Sequence, residues 1–203
     1  MAVHSTAKKR GGPDKRDRIL KAAVKVFAKN GFYATRVSEL AKAAGVADGT
    51  IYLYFKNKDD VLITIFEDGI QQLLAILREV AAAEEPFEAR IKRIIELQLG
   101  LLEDQRDLAE VITVNLRQSS TLLKQYAAPL FMEYIDVIAG LIREGQKQGA
   151  FRKDVNARVA ARSLFGALDA ILLTWALGEA DPASLRKAAS HCASLFLDGL
   201  QTH

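Results

Sequence analysis

Residues with hydroxyl groups and then residues with amino groups recur along a short segment of the chain between residues 50 and 58. Thr50, Tyr52, Tyr54, Lys56 and Lys58 occupy every second position of this segment. Hydroxyl groups hydrogen-bond to phosphate oxygens, and ammonium groups neutralise phosphate charge. Thr50 also carries a methyl group that suits contact with thymine. The spacing indicates contact with a nucleic-acid backbone, and the alternative is that the two tyrosines are ordinary, partly buried aromatic residues.

Two residues just before that segment each have a structural and a functional interpretation. Gly49 allows a tight entry into a helix, and because it lacks a Cβ it also permits close approach of the backbone to DNA. Asp48 would repel phosphate. We therefore expect Asp48 to favour the start of a helix, where an acidic group meets the positive end of the helix dipole.

The elements that would position these groups are two short helices joined by a tight turn. The sequence predicts helices over residues 37–44 and 48–55, separated by Gly45, Val46 and Ala47. Such a pair has the spacing of a helix-turn-helix, which places its second helix in the major groove of DNA. The apolar residues expected to fill the space between these helices and the helix before them are Phe27, Leu40, Ala41, Val46 and Ile51.

Charge is distributed unevenly along the 203 residues, although the formal net charge is only +3. Residues 1–60 contain 13 Lys and Arg against six Asp and Glu, whereas residues 61–203 contain 15 against 19. Because phosphate neutralisation needs clustered cations, the split indicates a polyanion-binding head on a mildly acidic body. A solvated basic face is the alternative. Residues 1–12, with Lys8, Lys9 and Arg10, are expected to form a flexible basic arm.

Helical periodicity runs along nearly the whole chain and predicts an all-α protein. A three-helix DNA-binding domain is expected over residues 13–58, followed by a larger helical domain over residues 59–203. A helix that begins at residue 59 would be shared by the two parts. Beyond the first three helices, which end at residues 30, 44 and 55, helices are predicted over residues 59–83, 87–103, 107–117, 120–148 with Pro129 as a break or kink, 155–177 and 182–200.

No feature of the sequence indicates an enzyme. It contains no Gly-rich phosphate loop, no metal-ligand cluster and no nucleophile elbow, so no catalytic residue, metal or cofactor is predicted. The single cysteine, Cys192, cannot form an internal disulfide and indicates a reducing, cytoplasmic setting. The apolar stretch over residues 159–177 is about as long as a membrane span. Arg162 and Asp169 interrupt it, so we expect a buried helix of a soluble protein.

Residues 31–62 resemble the DNA-binding segment of TetR-family transcriptional regulators. The pattern matches in order and length, and it includes the Gly-Thr-Ile-Tyr run at residues 49–52. The resemblance implies a homodimeric repressor whose first three helices bind a palindromic operator and whose larger helical domain binds a small ligand. The residues that correspond to the usual DNA contacts of the family are Arg36, Val37, Ala47, Gly49, Thr50, Tyr52, Tyr54 and Lys58.

Short stretches of the body, at residues 106–111, 115–119, 165–169 and 174–175, resemble one subgroup of that family. This FadR-type subgroup controls fatty-acid degradation and responds to long-chain acyl-CoA. The resemblance implies that long-chain acyl-CoA is the effector that releases the repressor from DNA. The alternatives are a TetR-family repressor of another hydrophobic ligand, such as an efflux-pump drug, and a helical lipid carrier or enzyme without a DNA role.

Helices rich in Leu, Ile and Phe can supply the apolar wall that an acyl chain requires. Asn115, Arg117 and Asp169 are polar residues on apolar helices, so each needs a partner if it is buried. For Arg117 and Asp169, a mutual ion pair is the alternative to ligand contact. The candidate wall residues, for each of which core packing is the alternative, are Leu99, Leu102, Val111, Leu116, Phe131, Phe165 and Trp175.

Small residues recur in the last two predicted helices. They permit close approach of helices, so these two helices are predicted to form a four-helix interface with a second copy of the chain. Core packing within one chain is the alternative. The small residues are Ala160, Ala161, Ala167, Ala170, Ala188, Ala189 and Ala193.

Overall fold

Helices form the regular secondary structure throughout the computed structural model, which describes residues 15–118, 122–179 and 181–201. Within these ranges no β-strand occurs, and an isolated bridge pairs Phe151 with Gln201. The prediction of an all-α protein is therefore confirmed. The predicted basic arm over residues 1–12 and the start of the first helix near residue 13 lie outside the described residues.

Most helix bounds agree with the prediction to within three residues, except around residues 52–55 and 111–127. Turns of π-helix at Val111–Asn115 and Leu123–Ala127 and a 3₁₀ turn at Leu116–Gln118 lie between the sixth and seventh helices. The α-helices are α1 (Lys15–Asn30), α2 (Val37–Ala44), α3 (Asp48–Ile51), α4 (Lys58–Ala82), α5 (Phe87–Gly100), α6 (Arg106–Glu110), α7 (Ala128–Gln148), α8 (Ala157–Leu177) and α9 (Ala183–Leu200).

Helices α1, α2 and α3 form the head and pack around a small apolar core. Phe27, Leu40 and Ile51 are completely buried there, as the sequence predicted. Gly31 and Gly45 follow α1 and α2 with φ values of 77° and 65°, a left-handed conformation that glycine adopts without steric cost. The two glycines therefore end α1 and α2 at the predicted positions.

The third helix is shorter than predicted. Residues 48–55 were expected to be helical throughout, but α3 ends at Ile51. After that point the main-chain N–H groups of Leu53 and Tyr54 bond to carbonyls three residues earlier, which tightens the chain into a turn. The turn brings Phe55 into the core, where only 3% of its surface remains exposed. Residues 52–55 therefore form a turn that buries Phe55, where the sequence predicted the second half of a helix.

Helix α4 continues from the head into the body without a break. It has 25 residues and is about 37 Å long at 1.5 Å per residue. Asn57 caps its start, since Asn57 Oδ1 accepts a hydrogen bond from the main-chain N–H of Asp60 at 2.8 Å. One apolar core extends from the head through α4 into the body. The head is therefore attached by a rigid element, whereas the exact domain boundary at residue 58 stays a prediction.

The chain between α6 and α7 departs from the predicted regular helices. Residues 107–117 were expected to form one α-helix, but this helix widens into a π-helical turn after Glu110 and narrows into a 3₁₀ turn after Asn115. Widened turns of this kind occur mostly as local insertions near functional sites. Pro129 lies in the first turn of α7, where its missing N–H costs nothing, so it marks a helix start and not a kink.

Helix α8 is the one described helix that is long and apolar enough to cross a membrane by length and composition. Only 39% of its most apolar window is buried inside the protein. Leu164, Leu168 and Leu172 face the core, whereas Val159 and Leu177 are 58% and 63% exposed. The expected buried helix is thus buried on one side only. Its other side exposes apolar and small residues together with the polar residues Arg162, Ser163 and Thr174.

Candidate DNA-binding surface and ligand cavity

The segment that carries the predicted DNA contacts is exposed on the head. Tyr52 and Tyr54 are 58% and 40% exposed, and Arg36 is also exposed. The main chain is accessible at Gly49, where a Cβ would meet no atom within 4 Å. Ala47 is exposed as well, and Val37 and Thr50 are half-buried. The head thus exposes the hydroxyl groups of Tyr52 and Tyr54, the guanidinium group of Arg36 and the main chain at Gly49 to solvent.

Lys58 differs from the other predicted contacts because its ammonium group is already bound within the protein. Its Nζ donates hydrogen bonds to the main-chain carbonyls of Phe32 at 2.7 Å, Thr35 at 2.9 Å and Tyr33 at 3.2 Å. It also lies 4.6 Å from the centroid of the Phe32 ring. Three hydrogen bonds use all three donors of an ammonium group. Lys58 therefore joins the start of α4 to the α1–α2 connection, and we do not retain it as a phosphate contact.

The geometry of the helix-turn-helix is fixed by further main-chain contacts. Arg18 Nη2 donates to the Ala44 carbonyl at the end of α2 at 2.7 Å. Glu39 accepts a hydrogen bond from the main-chain N–H of Arg36 at 2.7 Å, which stabilises the start of α2. These contacts hold α2 and the turn before α3 in a defined position on α1.

A cavity of about 160 Å³ lies in the body, where α4, α5, α7 and α8 meet the α6 region. Its wall is mainly apolar and aromatic. Contacting rings run from Phe66 on α4 through Phe131 on α7 to Phe165 on α8, with centroid separations of 5.4 and 5.2 Å. Ligand sites in proteins are typically concave and apolar with a few polar groups, which is the composition of this cavity.

Five of the predicted ligand residues line this cavity: Leu102, Arg117, Phe131, Phe165 and Asp169. Arg117 and Asp169 form the ion pair that was the alternative to ligand contact, with 2.5 Å between Nη2 and Oδ1. Both side chains also belong to the cavity wall. The two interpretations of this pair are therefore compatible, because an ion pair at a cavity wall can also meet a ligand.

The other five predicted ligand residues lie elsewhere. Leu99, Val111 and Leu116 are buried in the apolar core, so their alternative interpretation as core residues fits the structure. Trp175 is covered by the guanidinium group of Arg106, which lies 4.4 Å from the centroid of the Trp175 ring. Side chains that pack fully against other side chains leave no surface for a ligand.

Asn115 is the fifth of these residues, and it connects the body to the head. Its Oδ1 accepts a hydrogen bond from the main-chain N–H of Phe32 at 2.7 Å. Nearby, the Tyr33 hydroxyl donates to the main-chain carbonyl of Gln118 at 3.0 Å. Ile112 and Thr113, in the same π-helical turn as Asn115, line the cavity. The segment after α6 thus contacts the cavity and the head at once.

Sequence reasoning missed the contribution of α4 to the cavity wall. Phe66, Gly69, Ile70 and Leu73 line the cavity at intervals of three and four residues. Residues at this spacing share one face of a helix, so the pattern was available in the sequence. The side chain of Gln98 on α5 was missed as well, although it is, with Arg90, one of two polar residues on the mainly apolar buried face of that helix.

A helix-turn-helix head with an exposed second helix, joined by one long helix to a body with an apolar cavity, defines a helical DNA-binding regulator. The chain belongs to the tetR family of bacterial regulatory proteins. Residues 19–65 match the family model described as "Bacterial regulatory proteins, tetR family", and residues 66–199 match "YsiA-like protein, C-terminal region". The two matched regions meet within α4.

Relatives place the chain near regulators of fatty-acid metabolism. It is 35% identical to the fatty acid metabolism regulator protein of Bacillus subtilis over 161 residues, which cover 79% of this chain and 83% of that relative. The fatty acid degradation regulator FadR from Bacillus halodurans superposes with a TM-score of 0.85 at 33% identity, covering 96% of this chain and 100% of that chain.

A second solved structure is that of FadR from Bacillus subtilis in complex with stearoyl-CoA. It superposes with a TM-score of 0.81 at 33% identity and covers 92% of this chain and 99% of that chain. These relatives are transcriptional regulators. The predicted TetR-family membership and FadR-type resemblance are therefore confirmed, and the protein is a transcriptional regulator and not an enzyme.

Proposed function

We propose that the protein is a cytoplasmic homodimeric repressor that binds a palindromic operator and is released from it by long-chain acyl-CoA. We further propose that it controls genes of fatty-acid degradation. The observation that carries the proposal is the apolar cavity bordered by α4, since the same helix begins beside the recognition segment of the head. The similarity to a FadR protein that binds stearoyl-CoA supports the choice of ligand.

The size of the cavity supports a mechanism. Its volume of about 160 Å³ is smaller than the ~300 to 1,000 Å³ typical of ligand pockets. A long acyl chain enters only if the helices around the cavity separate. Phe66, Ile70 and Leu73 place α4 among those helices, so ligand entry displaces the helix that carries the head. Ligand binding then weakens DNA binding, and DNA binding weakens ligand binding, by the same coupling free energy, typically ~1 to 3 kcal/mol.

On the DNA side, the proposal assigns phosphate and base contacts to the exposed segment of the head. The major groove is about 12 Å wide and accommodates one helix, which we identify as α3 with the turn that follows it. Tyr52 and Tyr54 supply hydroxyl groups for phosphates. The remaining proposed contacts are Arg36, Val37, Ala47, Gly49 and Thr50.

The outer surface of α8 and α9, which carries exposed apolar and small residues among polar ones, supports dimerisation. Leu195 on α9 is 77% exposed, and Val159 and Leu177 are exposed on α8. Ala167 and Ala170 are also exposed and are small enough for close helix approach, whereas Ala160, Ala161, Ala189 and Ala193 are buried within the chain. A second copy that covers this surface would give the two-fold symmetry that a palindromic operator requires. Covering it would also account for the exposed apolar residues of α8 without a membrane.

The test is a mobility-shift assay on the promoter regions next to the protein's own gene, with a chain-length series of acyl-CoA thioesters. We expect one shifted complex that disappears as long-chain acyl-CoA is added, with short-chain thioesters ineffective. Undiminished DNA binding at every chain length would exclude acyl-CoA as the releasing ligand. Sedimentation of the purified protein measures dimerisation independently, and a monomer at all concentrations would contradict the proposed interface.

A further inference from the structure

The cavity wall contains an amide whose donor side has no partner. Gln98, on α5, lines the cavity and is only 7% exposed. Its Oε1 accepts a hydrogen bond from the Tyr134 hydroxyl at 2.6 Å, whereas its Nε2 donates none to the residues that the structure describes. Among the described residues, Arg90 Nε is the fully buried side-chain atom without a partner, so Gln98 Nε2 is instead accessible from the cavity and can donate a hydrogen bond to a ligand there.

Tyr134 fixes the orientation of that amide. Its side chain is completely buried, and its ring lies 5.3 Å from the centroid of the Phe165 ring in the cavity wall. Burial raises the pKa of Tyr134 well above its ordinary value, so the hydroxyl keeps its proton and acts as a donor. Because the Tyr134 hydroxyl donates to Gln98 Oε1, the Nε2 group of Gln98 lies on the side away from that hydroxyl and is available to the cavity.

The other polar groups of the wall are satisfied or open to water. The Thr113 hydroxyl donates to the Ala109 carbonyl at 2.7 Å, and Gln105 Nε2 donates to the Leu101 carbonyl at 2.9 Å. Arg117 and Asp169 pair with each other, and Gln72 is exposed. Among the described residues of the wall, Gln98 therefore provides an unpaired, accessible donor on a nearly buried side chain that a ligand can use.

We propose that Gln98 Nε2 donates a hydrogen bond to the thioester carbonyl oxygen of the effector and thereby distinguishes an acyl thioester from a plain hydrocarbon chain. This inference rests on the acyl-CoA response proposed above. The CoA phosphates are anionic and do not suit a mainly apolar wall, and the saturated chain beyond the thioester carries no acceptor. The thioester carbonyl is the acceptor that enters the mainly apolar cavity together with the chain.

The experiment compares octadecanoyl-CoA with S-octadecyl-CoA, a thioether that lacks only the carbonyl oxygen. Titration calorimetry on the full-length protein is expected to show about 3- to 10-fold tighter binding of the thioester, the effect of one neutral hydrogen bond. The matched protein variant is Gln98→Leu combined with Tyr134→Phe. The second change is needed because Gln98→Leu alone would leave the buried Tyr134 hydroxyl without a partner.

In the double variant both ligands are expected to bind with the same affinity. Gln105→Leu is the control, because the Gln105 amide already donates to a main-chain carbonyl, and it should keep the preference for the thioester. Equal affinities in the wild-type protein, or an unchanged preference in the double variant, would overturn the assignment of Gln98 and leave the acyl-CoA response intact. Binding of neither ligand to the wild-type protein would refute the acyl-CoA response, and the assignment with it.

Discussion

The side-chain oxygen of Asn115 accepts a hydrogen bond from the main-chain N–H of Phe32 at 2.7 Å, and both residues are buried. Asn115 ends the π-helical turn whose residues Ile112 and Thr113 line the cavity. Phe32 lies in the α1–α2 connection, and its carbonyl accepts a hydrogen bond from Lys58. The cavity wall and the head are therefore joined by this contact as well as by α4.

Replacement of Asn115 by Leu should weaken that junction. The change leaves the buried N–H of Phe32 without an acceptor, which we expect to lower the free energy of unfolding by about 1 to 3 kcal/mol. It should also reduce the effect of acyl-CoA on DNA affinity, because a buried connection between the cavity wall and the head is lost. Thermal unfolding and operator binding with and without octadecanoyl-CoA measure the two effects.

The control for this substitution is Tyr33→Phe. The Tyr33 hydroxyl joins the same two regions through the Gln118 carbonyl, but at an exposed position where water can replace it. We expect little change in stability or ligand response. A full ligand response in Asn115→Leu would show that the Asn115–Phe32 hydrogen bond is not needed to transmit the effect of the ligand.

Lys58→Met should destabilise the protein without changing the salt dependence of DNA binding. The substitution removes three hydrogen bonds from a charged donor, and we expect a loss of roughly 1.5 to 3 kcal/mol in the free energy of unfolding. A residue that binds phosphate would instead lower the salt slope by about 1. Lys56→Met is the matched control. The Lys56 side chain is exposed, so its replacement should leave the free energy of unfolding unchanged. A lower slope with unchanged stability in Lys58→Met would assign Lys58 to DNA after all.

Gly49→Ala should leave folding intact and weaken DNA binding. A Cβ at this position meets no atom of the protein within 4 Å, so the methyl group fits the free protein. It would occupy space that the backbone needs for close approach to DNA. Gly100→Ala at the end of α5 is the control, since a Cβ there also meets nothing within 4 Å. Equal operator affinities for both variants in a mobility-shift assay would show that Gly49 serves the turn only.

Asp169→Asn should increase the affinity for an anionic ligand. The ion pair with Arg117 is partly exposed, so its loss should change stability by only about 0 to 1 kcal/mol. The substitution removes a negative charge from the cavity wall and frees the Arg117 guanidinium to meet phosphate groups. Asp136→Asn, which breaks an exposed pair with Arg158 elsewhere on the body, is the control. Calorimetric titration with octadecanoyl-CoA should show tighter binding for Asp169→Asn alone.

The head was predictable because its determinants are local. Gly31 and Gly45 mark helix ends, and Phe27, Leu40 and Ile51 follow helical periodicity, so the sequence specifies the helix-turn-helix directly. The role of Lys58 was not visible, because its three carbonyl partners come together only when the α1–α2 connection has folded.

The cavity was predictable only in part. Leu99 and Leu102 lie on the same stretch of chain and have the same chemistry, yet Leu99 is in the core and Leu102 faces the cavity. Periodicity identifies the buried side of a helix. It does not say where packed helices leave a void, which depends on the fit of α4, α5, α7 and α8 against one another.

The continuity of α4 has a geometric consequence for operator recognition. Ile70, at the cavity, is twelve residues from Lys58 at the start of the helix, a distance of about 18 Å at 1.5 Å per residue. A tilt of about 10° about Ile70 would swing the recognition end through about 3 Å, on the same helical rise. In a two-fold dimer both heads would swing, and half-sites on DNA repeat at about 34 to 36 Å. If the cavity widens by the thickness of one hydrocarbon chain, the resulting tilt of α4 would move each head by a larger distance than it moves the cavity wall. The distance between the two heads, and so the half-site spacing that the dimer can bind, would change.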